Sequence, residues 1–307
     1  RSKNYHLKSI LNVNKNSFIY SNYNYFNKVK DIILDPLGRN LLEETQWIEL
    51  NQNWGNAKFP ILISGVGEPI LFLHGFDSSL LEFRRIYPYL KNHFQLIIPD
   101  LFGFGFSPRI FNNQYNPENI ILNLIDLIKE LKISKKLNIV GASMGGSAAL
   151  LLSKEISKDI EKIILLSPAG LFGDSKSIPR PFNQIGAAFL GLPLVRKNLC
   201  RQAFAYPDKS VGIKEEQIAS IHLGCRGWRN SLASFANSGG FGGSYKYFQN
   251  HPVKTVCGLN DRILGKNELN KLRNTKSLNF LGLKNCGHLP HIDLPELTSK
   301  IIFDFFK

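Results

Sequence analysis

The chain has 307 residues, 43% hydrophobic and 20% charged, with a formal net charge of +14. That composition is globular and long enough to bury a large core. Its four cysteines, Cys200, Cys225, Cys257 and Cys286, are widely spaced and form no CxxC pair, which argues against a zinc site and a disulfide framework and suits a reduced compartment.

The basic balance has two readings: attraction to anionic membranes, nucleic acid or acidic substrates, or a solvated surface on a chain rich in Lys, Asn and Ile. No compact Lys/Arg run or nucleic-acid motif accompanies it. A basic surface is therefore expected, without a nucleic-acid partner, while peripheral contact with an anionic membrane stays open. No apolar stretch approaches the roughly 20 residues of a membrane span. No short apolar segment with a small-residue cleavage site opens the chain. A soluble compartment is expected, cytoplasmic or within an organelle. The start at Arg1 leaves open a targeting segment removed earlier.

Residues 1–45 form the first division, an N-terminal extension rich in Asn, Lys and Tyr, as in Tyr20-Ser21-Asn22-Tyr23-Asn24-Tyr25-Phe26. The alternating aromatics predict a partly ordered, extended arm that packs on the core or touches a lipid surface. Regular patterning follows over 46–168. Trp47–Leu50 alternates as a strand does, and Phe59–Ser64 is a second candidate. After the turn at Gly65–Pro69, Ile70–Leu73 is a continuous apolar strand, and Phe94–Pro99 is the next. Proline at its start and an Ile120/Leu124/Ile125/Leu127/Ile128 face predict a helix from Pro117 to Leu131. Leu137–Val140 and Lys162–Leu166 are further buried strands.

Apolar strands alternating with helices imply a mostly parallel sheet covered on both faces. The alternation breaks over 169–250, which reads as a mainly helical cap or lid. It resumes over 251–307 with strands at Val253–Gly258 and Ser277–Leu281 and a helix from Pro295 to Phe306.

Gly141-Ala142-Ser143-Met144-Gly145 follows the Leu137 strand and precedes a good helix start at Ser147–Leu152. It has the G-x-S-x-G form of a nucleophile elbow, in which a sharp strand-to-helix turn pushes the serine hydroxyl out of the sheet. A serine hydroxyl needs a base, and the base an orienting acid. Asp261, in Gly258-Leu259-Asn260-Asp261, directly follows an apolar strand; Asp174 is the alternative acid. His288, in Asn285-Cys286-Gly287-His288, follows the next strand; His291 is the alternative base. Such strand ends are where sites form in α/β sheets, and Ser, Asp, His is the order described for α/β-hydrolases.

With these residues the chain resembles the α/β-hydrolase superfamily, of the serine-nucleophile type with a cap domain. Four motifs match in order over residues 47–307: Leu73-His74-Gly75-Phe76, Asp100 to Ser107, Gly141 to Gly145, and Gly258 to Asp261 with Gly287-His288. The resemblance implies an α/β fold with an inserted cap and assigns Ser143 as nucleophile, His288 as base and Asp261 as its orienting acid. It places the oxyanion hole at the backbone N–H groups of Phe76 and Met144. It implies no cofactor and no metal. His74 and the Asp100 motif are expected to be structural. His222 and Trp228 are candidate substrate-binding residues, with packing the competing role.

A serine at the elbow argues against the epoxide- and halide-cleaving relatives, which use aspartate. Hydrolysis of a carboxylic ester is the expected reaction, esterase- or lipase-like. C–C bond hydrolysis, perhydrolase chemistry on the same triad and a non-catalytic binding protein are the alternatives. The cap carries five arginines (Arg180, Arg196, Arg201, Arg226, Arg229), which fit an anionic substrate or a basic surface. Its Phe182, Phe189, Leu190, Phe204, Leu232 and Phe235 suit a bulky apolar acyl or prenyl group. The Ser234–Phe241 stretch is similar to hydrolases of cyanobacteria and plastids, which adds a plastid-like compartment to the expectation.

Overall fold

The computed structural model describes residues 19–111 and 114–307. After a two-residue strand at Ile19–Tyr20 come helices α1 (Tyr23–Ile32) and α2 (Pro36–Glu44). Of the extended arm expected here, Ile19–Tyr20 is extended and pairs antiparallel with Arg109–Ile110, while most of the remaining described length is helical; residues 1–18 lie outside the described part. Phe26, Val29 and Ile33 fall at helical spacing and are buried, as are Leu41 and Leu42 of α2. Period-two aromatics hid this period-3.6 stripe. Asp35 caps α2 by accepting from Leu37 N (2.9 Å), and Pro36 occupies the first helical position.

The sheet elements are β1 (Thr45–Glu49), β2 (Lys58–Ser64), β3 (Glu68–Leu73) and β4 (Phe94–Pro99), then helix α3 (Pro117–Glu130) and β5 (Leu137–Ala142). Helix α4 (Met144–Glu155) and β6 (Ile160–Leu166) follow. Between β6 and the next strand the longer helices are α5 (Phe182–Leu190), α6 (Pro193–Gln202), α7 (Ile213–Ser220) and α8 (Trp228–Ser238), with a single helical turn at Pro207–Ser210. The chain ends with β7 (Val253–Gly258), α9 (Lys266–Asn274), β8 (Phe280–Leu283) and α10 (Pro295–Phe306).

These eight strands form one sheet in the order β8-β7-β6-β5-β3-β4-β2-β1. Only β2 runs against its neighbours; every other pairing is parallel. Successive residues feed opposite cores. Leu71, Leu73, Ile139 and Leu165 belong to one buried cluster, and Ile70, Phe72, Val140 and Ile164 to the other. Continuous apolar strands thus result from cover on both faces.

The last strand differs from expectation. Residues 276–278 form a short 3-10 turn, Asn279 turns the chain at φ 44°, and β8 begins at Phe280. Leu278 is buried by that turn rather than by strand pairing. Among the described residues no helix is long and apolar enough to cross a membrane.

Candidate active site

Loops from the carboxyl ends of β3, β5, β7 and β8 converge near the point where the strand order doubles back around β3, the place where α/β sheets open a crevice. Ser143 sits between β5 and α4 with φ 51° and ψ −118°, a conformation rarely adopted by a residue with a side chain. The flanking glycines permit it. A Cβ on Gly145 would lie 2.0 Å from the Leu73 carbonyl oxygen, and one on Gly141 2.4 Å from that of Gly145. The Ser143 carbonyl accepts from Gly146 N (2.9 Å) and Ala169 N (3.1 Å), which ties the turn to the strand end beside it.

His288 Nε2 lies 2.8 Å from Ser143 Oγ, and His288 Nδ1 lies 2.7 Å from Asp261 Oδ2. The other Asp261 oxygen accepts from Ile263 N (2.7 Å) and Leu264 N (3.0 Å), so the carboxylate is held at both ends. The three side chains, some 145 residues apart at the extremes, form one continuous chain of hydrogen bonds. His288 N donates to Ala203 O at 2.8 Å, which joins its loop to the end of α6.

The alternatives lie elsewhere. His291 is fully buried, with Nε2 3.2 Å from Glu82 Oε1 rather than at Ser143. Asp174 is exposed and takes no part in the His288 hydrogen bonds.

The loop after β3 is held from several directions. His74 Nε2 accepts from Leu101 N (3.0 Å), so its proton is on Nδ1, which donates to Gly75 O (2.8 Å). Burial drives the His74 pKa down to about 4, so the ring is neutral. Glu82 accepts from Gly75 N at 3.1 Å. With the Gly75 carbonyl turned to His74, the planar trans peptide directs the Phe76 N–H the opposite way. Among the described residues neither Phe76 N nor Met144 N donates to a protein acceptor. Asp100 accepts from Leu80 N (2.6 Å) and Phe106 N (2.7 Å), and burial pushes its pKa up to about 7.

Asp77, next to Phe76, is the group that sequence reasoning missed. Its Oδ1 accepts from Trp228 Nε1 (2.7 Å) and faces His222 Nε2 (3.1 Å), and its Oδ2 pairs with Arg196 Nη1 (2.5 Å). Burial alone would raise its pKa; hydrogen bonding to His222, with the charge of Arg196, holds it well below the usual carboxylate range. His222 and Trp228, expected at the substrate, are thus set against Asp77 and are not among the residues lining the cavity at Ser143. A buried carboxylate requires such partners. The one available signal was its position directly after His74-Gly75-Phe76.

That cavity measures about 270 Å³ and is bounded by Ser143, His288 and Phe76 at one end. Leu190, Leu199, Phe204, Ile218 and Leu289 make most of its wall apolar. Among the described residues no cluster of His, Cys, Asp and Glu is arranged to hold a metal ion.

Comparison with known proteins shows the family of the chain. The profile of the alpha/beta hydrolase fold covers residues 68–295. The alpha/beta hydrolase domain-containing protein VTE7 of Arabidopsis thaliana is 26% identical over 288 residues, 89% of this chain and 87% of its own length. A 2-hydroxy-6-oxo-6-(2'-aminophenyl)hexa-2,4-dienoic acid hydrolase of Metapseudomonas resinovorans is 25% identical over 276 residues, covering 86% and 92%. Among solved structures, a thermophilic esterase from Thermogutta terrifontis superposes with a TM-score of 0.69 at 19% identity, covering 85% of this chain and 97% of that one. This chain belongs to the α/β-hydrolase fold family.

Proposed function

We propose that the protein is a serine hydrolase that cleaves a neutral, apolar carboxylic ester through an acyl-enzyme on Ser143. The observation that carries this reading is the hydrogen-bonded series Ser143–His288–Asp261, with links of 2.8 and 2.7 Å, opening on an apolar cavity. Ser143 Oγ attacks the ester carbonyl while His288 Nε2 takes its proton. The oxyanion is met by the N–H groups of Phe76 and Met144, the latter at the first position of α4, where the helix dipole also favours negative charge. His288 then protonates the departing alcohol. Water, deprotonated by the same imidazole, releases the acid. Asp261 keeps Nδ1 protonated and the ring aligned throughout.

The charge of the cavity favours a neutral substrate over an oxo-acid. Its two guanidinium groups are already paired, Arg196 with Asp77 at 2.5 Å and Arg84 with Asp35 at 2.6 Å. A substrate carboxylate would enter without a free partner among the described lining residues, an unfavourable burial of charge. C–C bond hydrolysis remains the second reading, supported by the similarity to the Metapseudomonas enzyme over nearly its whole length.

A panel of chromogenic esters varied in acyl length, beside an oxo-dienoate acid, tests both. Turnover of the esters by the wild type, absent in Ser143→Ala, is the expected result. Turnover of the oxo-dienoate alone would replace the ester reading with the second. No Ser143-dependent turnover of either would leave the non-catalytic binding protein.

A further inference from the structure

The outer surface of α5 is apolar in a way that packing does not explain. Phe182, Ile185 and Phe189 are 65%, 59% and 57% exposed. At about 100° per residue they fall within about 60° of one another on the helix. The opposite side, at Asn183 and Ala187, is buried against α8, with Asn183 Nδ2 donating to Ala233 O at 3.0 Å. The strip continues through the turn into α6, where Leu192 is 50% and Leu194 70% exposed. A solvated face would not place aromatics and aliphatics at every one of these positions.

Within its own stretch of chain the strip carries charge of one sign; an acidic group met on α6, Glu216 of α7, is already paired with Lys197 at 3.2 Å. No aspartate or glutamate occurs in residues 175–207. Lys176 and Arg180 are exposed just before α5, and exposed Arg229 donates to Gln184 O of α5 at 3.3 Å. Apolar side chains flanked by cations match an anionic lipid surface, where rings and aliphatics enter the acyl boundary and cations meet phosphates. A second copy of the chain would bring the same cations face to face. Leu190 and Leu199, from the same two helices, line the cavity at Ser143.

We infer that the outer face of α5 and the α5–α6 turn is a docking surface for an anionic bilayer, which sets the mouth of the cavity beside the lipid. The test is co-sedimentation of the full chain, carrying Ser143→Ala so that lipid stays intact. The vesicles are phosphatidylcholine alone or with about a third phosphatidylglycerol. Binding to the anionic vesicles is expected, weakened on the order of tenfold by Phe182→Ser with Phe189→Ser and weakened again by raised salt. Phe182 and Phe189, expected from the sequence to meet the substrate, are not among the residues lining the cavity, so the same pair of substitutions in the otherwise wild-type chain should leave the circular dichroism and the hydrolysis of a soluble short ester unchanged. Equal sedimentation of the variant, or no sedimentation of either, overturns the assignment. So does a concentration-dependent dimer, without vesicle binding, that the substitutions dissolve.

Discussion

Asp77 Oδ2 lies 2.5 Å from Arg196 Nη1, a buried pair that fastens the loop carrying Phe76 to helix α6. Through it the helices between β6 and β7 and the proposed oxyanion loop are one mechanical unit. Asp77→Ala leaves Arg196 buried without its counter-charge, a loss of about 3–5 kcal/mol. The denaturant midpoint should fall accordingly. The paired change Asp77→Leu with Arg196→Met should recover much of that stability, yet hydrolyse esters up to about 100-fold more slowly, because the Phe76 N–H is no longer held. Full recovery of both would limit the pair to a structural role.

Asp261→Asn should keep the fold and lose most of the activity. Asparagine can occupy the same site but favours the wrong imidazole tautomer and cannot stabilise the imidazolium. A fall of about 10⁴ in kcat with a small change in KM is expected. Steady-state kinetics on a short ester measures it.

His74 predicts a pH signature in stability. Its folded pKa of about 4 lies below its ordinary 6.5, so between these values the unfolded chain binds the extra proton. Stability from this group is complete above about pH 6.5 and declines as pH falls toward 4, by on the order of 3 kcal/mol in total. Asp100, raised to about 7, works in the opposite direction over much of the same range. The informative quantity is therefore the difference between the wild type and His74→Asn, which keeps a donor for Gly75 O but does not titrate. The stability of the variant relative to wild type should rise on acidification through that window.

Asp35→Ala tests whether the N-terminal helices belong to the fold. It removes the α2 cap, worth about 1 kcal/mol, and strands Arg84, 1% exposed, without its 2.6 Å partner. A loss of about 3 kcal/mol or more in urea unfolding is expected. A change below about 1 kcal/mol would mean that the cap alone matters.

The strands from β2 to β7 and the order Ser143, Asp261, His288 were legible because strands covered on both faces read as continuous apolar runs and the candidate residues stand within a few positions of strand ends. Helices α1 and α2 were not, because the Tyr20–Phe26 alternation masks the Phe26/Val29/Ile33 stripe. The start of β8 was displaced because Leu278 is apolar in a 3-10 turn as it would be in a strand. The roles of His222 and Trp228 depend on Asp77, whose partners come from 119 to 151 positions away, beyond the reach of local pattern.

The proposed reaction depends on Ser143 acting as a nucleophile activated by His288. Its most direct test is labelling by a serine-reactive fluorophosphonate, followed by peptide mass spectrometry. One phosphonate is expected, on Ser143, with labelling strongly slowed by His288→Ala and abolished by Ser143→Ala. An unlabelled wild-type protein, or a label on another residue, would contradict it.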